Sequence, residues 1–147
     1  RFLSQGAECD WIILDHLSIV VSGLGDGDER RLIDNAMTML RTLVQETGVG
    51  LILVSHLKRP SGDKGHEEGA TTSLSQLRGS HAIAQLSDMV ISLERNQQGD
   101  DANTTTVRVL KNRFSGETGI ACHCLYNPET GRMLETTLEF SNQQDEF

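Results

Sequence analysis

Apolar residues gather along this chain in short runs, set between one long helical pattern and several polar stretches. Trp11-Ile-Ile-Leu-Asp15 reads as a buried strand that ends in an acid. A Gly/Asp-rich loop, Ser22 to Asp28, follows it, and Asp28 and Glu29 are placed to start a helix. Leu32, Ile33, Ala36, Met37, Leu40, Leu43 and Val44 then recur at helical spacing until Gly48 stops the run. Val49 to Val54 forms a second buried strand with Ser55-His56 at its end. Strand, helix, strand in this order predicts a right-handed βαβ unit on a parallel sheet.

Beyond it, Lys58 to Thr72 is polar, with three glycines and Pro60, and is expected to be a mobile loop. Leu74 to Ser87 carries a helical pattern broken by Gly79. Met89 to Leu93 and Thr104 to Leu110 read as strands joined by a turn at Gly99 to Asn103. Ile120 to Tyr126 and the stretch from Met133 are separated by Asn127-Pro-Glu-Thr-Gly131, a strong hairpin turn. The expected class is α/β, a mostly parallel sheet with flanking helices and a C-terminal β-hairpin. Residues 1–138 make one unit and 139–147 an acidic tail expected to be disordered.

Composition narrows the function classes. The chain has 147 residues, 37% hydrophobic and 4% aromatic, which predicts a lean aliphatic core. Its formal charge is −8, and five acids against one base fall between Pro128 and Phe147. A generally basic nucleic-acid binder is excluded, so any such contact must come from a local basic patch. No apolar run approaches the roughly 18 residues of a membrane span, and no signal peptide is expected. The absent start Met and the abrupt entry into a strand predict a piece of a longer protein. Three cysteines, an odd number, fit a reducing cytosol better than a disulfide framework.

Several residues are candidates for chemistry. An acid at the carboxyl end of a strand, such as Asp15, is where α/β sheets hold Mg²⁺ for bound phosphates, though many strands end in Asp merely as a cap. His56 falls at the same sheet edge, either sensing a terminal phosphate or bonding a backbone carbonyl. Lys111 and Arg113, one residue apart, would share one face of a strand with Arg108 nearby. That suits charge developing on a transferring phosphoryl group, or a solvated edge that blocks strand pairing. The loop Lys58-Arg59-Pro60-Ser-Gly-Asp-Lys64 can grip a single strand's phosphates or lie solvated, its charge offset by Asp63, Glu67 and Glu68. Cys122 and Cys124 point to one face and His123 to the other, with no second ligand pair, which argues against zinc. His66-Glu67 has Ala70 where a zinc protease needs histidine, and Asp26 to Glu29 is too short for a calcium loop.

Taken in order along the chain, eight segments resemble the C-terminal part of the helicase domain of the primase–helicases of short-tailed T-odd phages. These are hexameric replicative helicases of the RecA-like P-loop class, with the mitochondrial Twinkle helicase and the bacterial DnaB family more distant. The segments are Asp10-Trp-Ile-Ile-Leu-Asp-His16, Val54-Ser-His-Leu-Lys58, Gly65-His-Glu-Glu-Gly69, Leu77-Arg-Gly-Ser80, Gln85-Leu-Ser-Asp88, Leu93-Glu-Arg-Asn-Gln-Gln-Gly99, Leu110-Lys-Asn-Arg-Phe114 and Tyr126-Asn-Pro-Glu-Thr-Gly131. The resemblance implies a RecA-like fold and NTP-driven 5′-to-3′ translocation on single-stranded DNA. It implies Asp15 as the Walker B acid holding Mg²⁺ through water, His56 as the γ-phosphate sensor and Gln85 as a second γ-phosphate contact. Arg113 matches the arginine finger acting on the neighbouring subunit, with Lys111 as its companion, and Arg95 and Tyr126 match the pair flanking the base. Lys58, Arg59, Lys64, Arg78 and Gly79 fall in loops facing DNA in the central channel.

The same resemblance implies ATP or dTTP as substrate, a ring of six or seven subunits, and a place in the bacterial host cytoplasm with no membrane partner. It implies a tail, ending Asp145-Glu-Phe147, that holds a replicative DNA polymerase and single-strand-binding protein. The sequence departs from the family pattern in lacking G-x-x-x-x-G-K-[ST], and the resemblance implies that the water-activating glutamate belongs to a part N-terminal to this one. The chain by itself is therefore expected not to hydrolyse a nucleoside triphosphate, and the sheet to expose an apolar edge. Two further readings remain at this point: a non-catalytic module that binds single strands and recruits a polymerase, and a RecA-like recombination or repair ATPase.

Overall fold

A computed structural model describes residues 9–23, 28–60, 64–77 and 81–137. Arg78, Gly79 and the tail residues Asp145, Glu146 and Phe147 lie outside the described residues, as do 24–27 and 61–63 of the two expected loops. The described residues fall into two compact units, Arg1–Arg59 with Ser73–Asp88, and Pro60–Thr72 with Met89–Phe147.

The first unit begins with β1 (Trp11–Leu14) and α1 (Leu17–Ser22), and continues through α2 (Glu29–Thr47) to β2 (Gly50–Leu53). A 3₁₀ turn (Leu74–Gln76) and α3 (His81–Leu86) complete it. α2 forms where the periodicity places it, and its caps explain its limits. The Asp28 side chain accepts from the Arg30 N–H at 3.1 Å, and Gly48 takes φ 70°, a left-handed conformation that glycine enters without steric cost. The apolar stripe buries Ile33, Ala36 and Met37. Leu17, Val21, Val49, Leu77 and Ile83 complete the buried apolar core. A 2.6 Å ion pair joins Arg41 of α2 to Asp88 after α3. Removing the α2 cap is a direct check on this account. Asp28→Ala is expected to lower stability by about 1 kcal/mol in urea unfolding, and an unchanged midpoint would deny the cap its role.

Two features depart from the sequence reading here. Leu17–Ser22 is helical, so the expected loop starts one residue later, at Gly23. The strands are also not buried on both faces. β1 and β2 pair in parallel, Trp11 opposite Gly50 through Leu14 opposite Leu53, in a sheet of two strands. Side chains alternate across such a ribbon, and Trp11, Ile13 and Ile52 are 64%, 71% and 49% exposed. Trp11, Ile13 and Ile52 thus make one face of the ribbon an exposed apolar surface.

The second unit is an antiparallel meander of β3 (Met89–Arg95), β4 (Thr104–Asn112), β5 (Gly119–Asn127) and β6 (Arg132–Thr136), ordered β3-β4-β5-β6. The expectation of a mostly parallel sheet is corrected: of the described strands only β1 and β2 run parallel. Parallel neighbours need a crossover of a dozen or more residues, and β3 to β6 are joined by short turns. The β5–β6 turn forms as read, with the Asn127 side chain accepting from the Glu129 and Thr130 N–H groups and Gly131 at φ 67°.

The ladder interrupts its register twice, at Val90/Ile91 and at Val107/Arg108. Opposed residues share a face, so Leu93, Val107 and Cys122 form one row and Arg95, Thr105 and Cys124 the next. Ser92, Glu94, Thr106, Arg108 and His123 occupy the opposite face. There the Thr72 hydroxyl lies 2.6 Å from Ser92 Oγ and donates to Glu94 Oε1. Within the stretch expected to be a mobile loop, the described residues make local bonds. Gly65–Ala70 turns with the Gly65 N–H on the Glu68 carboxylate at 2.7 Å, and Gln97 N–H bonds the Glu67 carbonyl at 2.8 Å. The described buried residues of this unit are polar: Thr72, Ser92 and Thr105.

Candidate functional site

Parallel pairing of β1 and β2 brings their carboxyl ends to one edge of the first unit. Asp15 leaves β1 there with an exposed carboxylate, and His56 follows β2. Two backbone bonds brace the edge, Val54 N–H to Leu14 O at 2.9 Å and Leu17 N–H to Val54 O at 3.0 Å. The His16 ring packs against the His56 ring with centroids 4.2 Å apart. His16, whose ring packs on His56, directly follows Asp15 in the chain. His56 is exposed, with His16 as its described ring neighbour, and His16 Nδ1 is buried without a hydrogen-bond partner. The sequence reading does not single out His16. Its signals there are a position beside a strand-end acid and its place at the close of the family-like segment Asp10–His16.

Gln85 sits on the exposed side of α3, whose Ile83 is buried. Lys58 and Arg59 are exposed just past the Leu57–Leu77 bridge, where Lys58 N–H bonds Gln76 O at 2.7 Å. Lys64 is exposed in the second unit.

In the second unit the register sets Arg95 and Tyr126 on one face at one end of the meander. Arg95 lies opposite Thr105, Thr105 opposite Cys124, and Tyr126 follows two residues later on β5. Both meet Asn103, the residue before β4. Arg95 Nε donates to the Ala102 carbonyl and Nη2 to Asn103 Oδ1 at 3.3 Å, while Tyr126 N–H donates to Asn103 O at 2.9 Å. The sequence marks Asn103 only as a turn residue.

The expectation that Lys111 and Arg113 share a strand face is corrected. β4 ends at Asn112, and Arg113 stands exposed in the turn beyond it. The Asn112 side chain stops the strand: Oδ1 accepts from Phe114 N–H at 3.0 Å and Ser115 N–H at 3.3 Å, and Nδ2 donates to Ser115 Oγ at 2.8 Å. Gly116, at φ 76°, closes the turn with its N–H on Asn112 O at 2.9 Å. Lys111 stays in the ladder opposite Val90. Arg108 leaves the group of candidate cations, because its guanidinium is engaged by Glu94 at 2.8 and 3.1 Å. Burial pushes the Glu94 carboxyl up, but bonds from Arg108 and from the Thr72 hydroxyl and N–H outweigh it and hold it below its ordinary value. The same bond to Glu94 raises Arg108.

Cys122 and Cys124 share a face as read, with sulfurs 3.9 Å apart, and His123 on the other face bonds Thr106 at 3.0 Å. Burial, then Cys124 and Glu135, push the Cys122 thiol up. Among the described residues there is no group of three or more His, Cys, Asp or Glu that could hold a metal directly. An exposed carboxylate at a strand end, Asp15, fits a Mg²⁺ ion held through water, which needs only one or two carboxylates.

The model of the DnaB-like helicase C-terminal domain family matches residues 1–135. The chain belongs to this family. Its DnaB-like sequence is 53% identical over 130 residues to a DNA helicase/primase of Enterobacteria phage T3, covering 88% of the chain and 23% of that relative. It is 28% identical over 147 residues to a probable plasmid replicative DNA helicase of Chlamydia muridarum (strain MoPn / Nigg), covering 28% of it. The DnaB-like chain thus spans about a quarter of the length of these curated relatives. Among solved structures it resembles an ATPase domain, with TM-score 0.70 and 22% identity over 86% of this chain and 44% of that one. It also resembles a DnaB-like replicative helicase studied with primase, with TM-score 0.67 and 19% identity over 86% of this chain and 30% of that one. The RecA-like α/β class therefore holds, with the antiparallel meander as part of it. No described helix of this DnaB-like domain is long and apolar enough to cross a membrane.

Proposed function

We propose that the chain is the C-terminal part of a replicative DNA helicase motor that couples NTP hydrolysis to 5′-to-3′ movement along single-stranded DNA. The observation that carries this is the shared edge of β1 and β2, where Asp15 and His56 stand together in a chain of the DnaB-like family. A strand-end carboxylate and a neighbouring histidine suit the two ends of a Mg²⁺-bound triphosphate. Asp15 holds the ion through water. His56, with Gln85, contacts the terminal phosphate, and His56 passes its loss to the segment beginning at Lys58. When bound, Mg²⁺ supplies charge neutralisation at the phosphates.

Arg95 and Tyr126 flank the base of ATP or dTTP. Arg113, aided by Lys111, serves the neighbouring subunit of a hexameric or heptameric ring, since a finger acting in trans requires an oligomer. Lys58, Arg59, Lys64, Arg78 and Gly79 line the DNA path. The tail with Asp145, Glu146 and Phe147 recruits a replicative polymerase and single-strand-binding protein in the host cytoplasm. Residues 1–138 belong to one RecA-like domain and residues 139–147 form that tail. The chain alone, lacking a phosphate loop in its sequence, turns over no nucleotide.

The test uses the full-length parent protein on a forked duplex with a 5′ single-stranded tail. NTP-dependent unwinding is expected. His56→Ala is expected to leave nucleotide binding in place while lowering DNA-stimulated hydrolysis by roughly 10²-fold, the size of one lost transition-state contact. A parent that binds single strands without hydrolysing any NTP would favour the non-catalytic module. Strand exchange without unwinding would favour a recombinase.

A further inference from the structure

The meander geometry singles out one residue at the end of the second unit. On its own strand, Arg95 stands in the row of Thr105 and Cys124, one row short of Tyr126. Continuing the register from Thr104 opposite Leu125 puts Asn103 opposite Tyr126, and Tyr126 N–H to Asn103 O closes that position at 2.9 Å. The Arg95 guanidinium crosses to this row, held by the Ala102 carbonyl and by Asn103 Oδ1. Arg95 and Tyr126 come from strands separated by β4, so their origins are about 10 Å apart across the sheet. A planar guanidinium and a phenol ring at that spacing, on one face, suit a flat ring between them, and arginine stacks on such rings.

We infer that Asn103 is the positioning residue of this clamp, its side chain fixing Arg95 and its main-chain carbonyl fixing Tyr126 so that the two groups close on a nucleobase. This rests on the proposed base-flanking roles of Arg95 and Tyr126. An unrestrained arginine side chain samples many rotamers, and holding two of its nitrogens removes that cost before the nucleotide arrives. Asn103 touches no reacting atom. Its effect falls on nucleotide affinity and on discrimination between bases.

The experiment uses the full-length protein and a non-hydrolysable nucleoside triphosphate, with affinity read by equilibrium titration and hydrolysis read alongside. Asn103→Ala is expected to weaken binding about tenfold, the size of one hydrogen bond to a charged group, and to raise KM more than it lowers kcat. Asn103→Asp keeps an acceptor for Arg95 and an intact main chain, and is expected to restore affinity. In an Arg95→Ala background the Asn103→Ala effect is expected to vanish, because both changes remove the same contact. A merely structural role would not give this non-additivity. If Arg95→Ala weakens binding and Asn103→Ala does not, or the two losses simply add, the inference falls while the base clamp stands. If neither Arg95→Ala nor Tyr126→Ala changes affinity, the base-flanking reading falls and takes the inference with it. Should Asn103→Ala lose its fold, failure of Asn103→Asp to bind like wild type would overturn the inference.

Discussion

Replacing Arg113 by alanine in the full-length protein is expected to cut DNA-stimulated nucleotide hydrolysis by about 10³-fold or more while nucleotide binding survives. The turn explains why the position suits a finger. Asn112, Ser115 and Gly116 fix its backbone through their own short-range bonds, and the turn presents Arg113 and a 79% exposed Phe114 outward. Charge that develops on a transferring phosphoryl group is best met by a donor already in place, which costs no reorganisation during the reaction. Arg113→Lys is expected to rescue little, since a lysine lacks the planar fork. A finger that serves the neighbour predicts that mixing mutant and wild-type subunits depresses the rate more than in proportion to the mutant fraction. A turnover retained in Arg113→Ala, or a strictly proportional mixing curve, would remove the trans role.

The second large effect concerns stability. Among the described residues the buried apolar core lies in the first unit, whereas the buried residues of the meander are polar. The meander therefore depends on its ladder and on the Glu94–Arg108–Thr72 network, in which the Glu94 side chain is only 10% exposed. Glu94→Gln is expected to cost about 3 kcal/mol at neutral pH, because it leaves the Arg108 charge half-buried without its carboxylate. The pH dependence follows from the lowered Glu94 value. Its contribution is complete above the ordinary glutamate value of 4.5 and is lost as pH falls through the lowered one. The gap between wild type and variant should accordingly narrow in acid, where the wild-type carboxylate protonates. Urea unfolding at neutral and acid pH, followed by circular dichroism of the chain, measures both gaps. Equal gaps at the two pH values would deny the carboxylate its part.

How much of the fold and site can be read from the chain depends on which physical signal each feature leaves. Asp28, the stripe from Leu32 to Val44 and Gly48 mark α2 because caps and periodicity are local. Asp15 and His56 fall at one edge, as expected, because a strand-helix-strand order brings strand ends together without any knowledge of side chains. Arg113 reads as a strand residue although Asn112 and Gly116 bracket it with turn chemistry, a signal outweighed by the alternating run before it. The partners of Arg108 and Arg95 are not readable, because each reaches a residue that only the strand register brings near. The exposed apolar face of the β1–β2 ribbon is not foreseen: the short apolar runs read as strands buried on both faces, and the exposure expected was of a strand edge.

The two interruptions of the ladder, at Val90/Ile91 and Val107/Arg108, lie close to the Glu94–Arg108 pair. A sheet whose strands bury little apolar surface specifies its register weakly, and a one-residue slip turns every side chain to the other face. Here such a slip of β3 would carry Glu94 to the outer side and bring Arg95 to the place beside Arg108 that Glu94 now holds, two cations with no carboxylate between them. The correct alignment is thus guarded against its nearest competitor by charge repulsion as well as by bulge geometry. A small sheet whose described strands bury no apolar residue fully keeps a single alignment by making the wrong one costly.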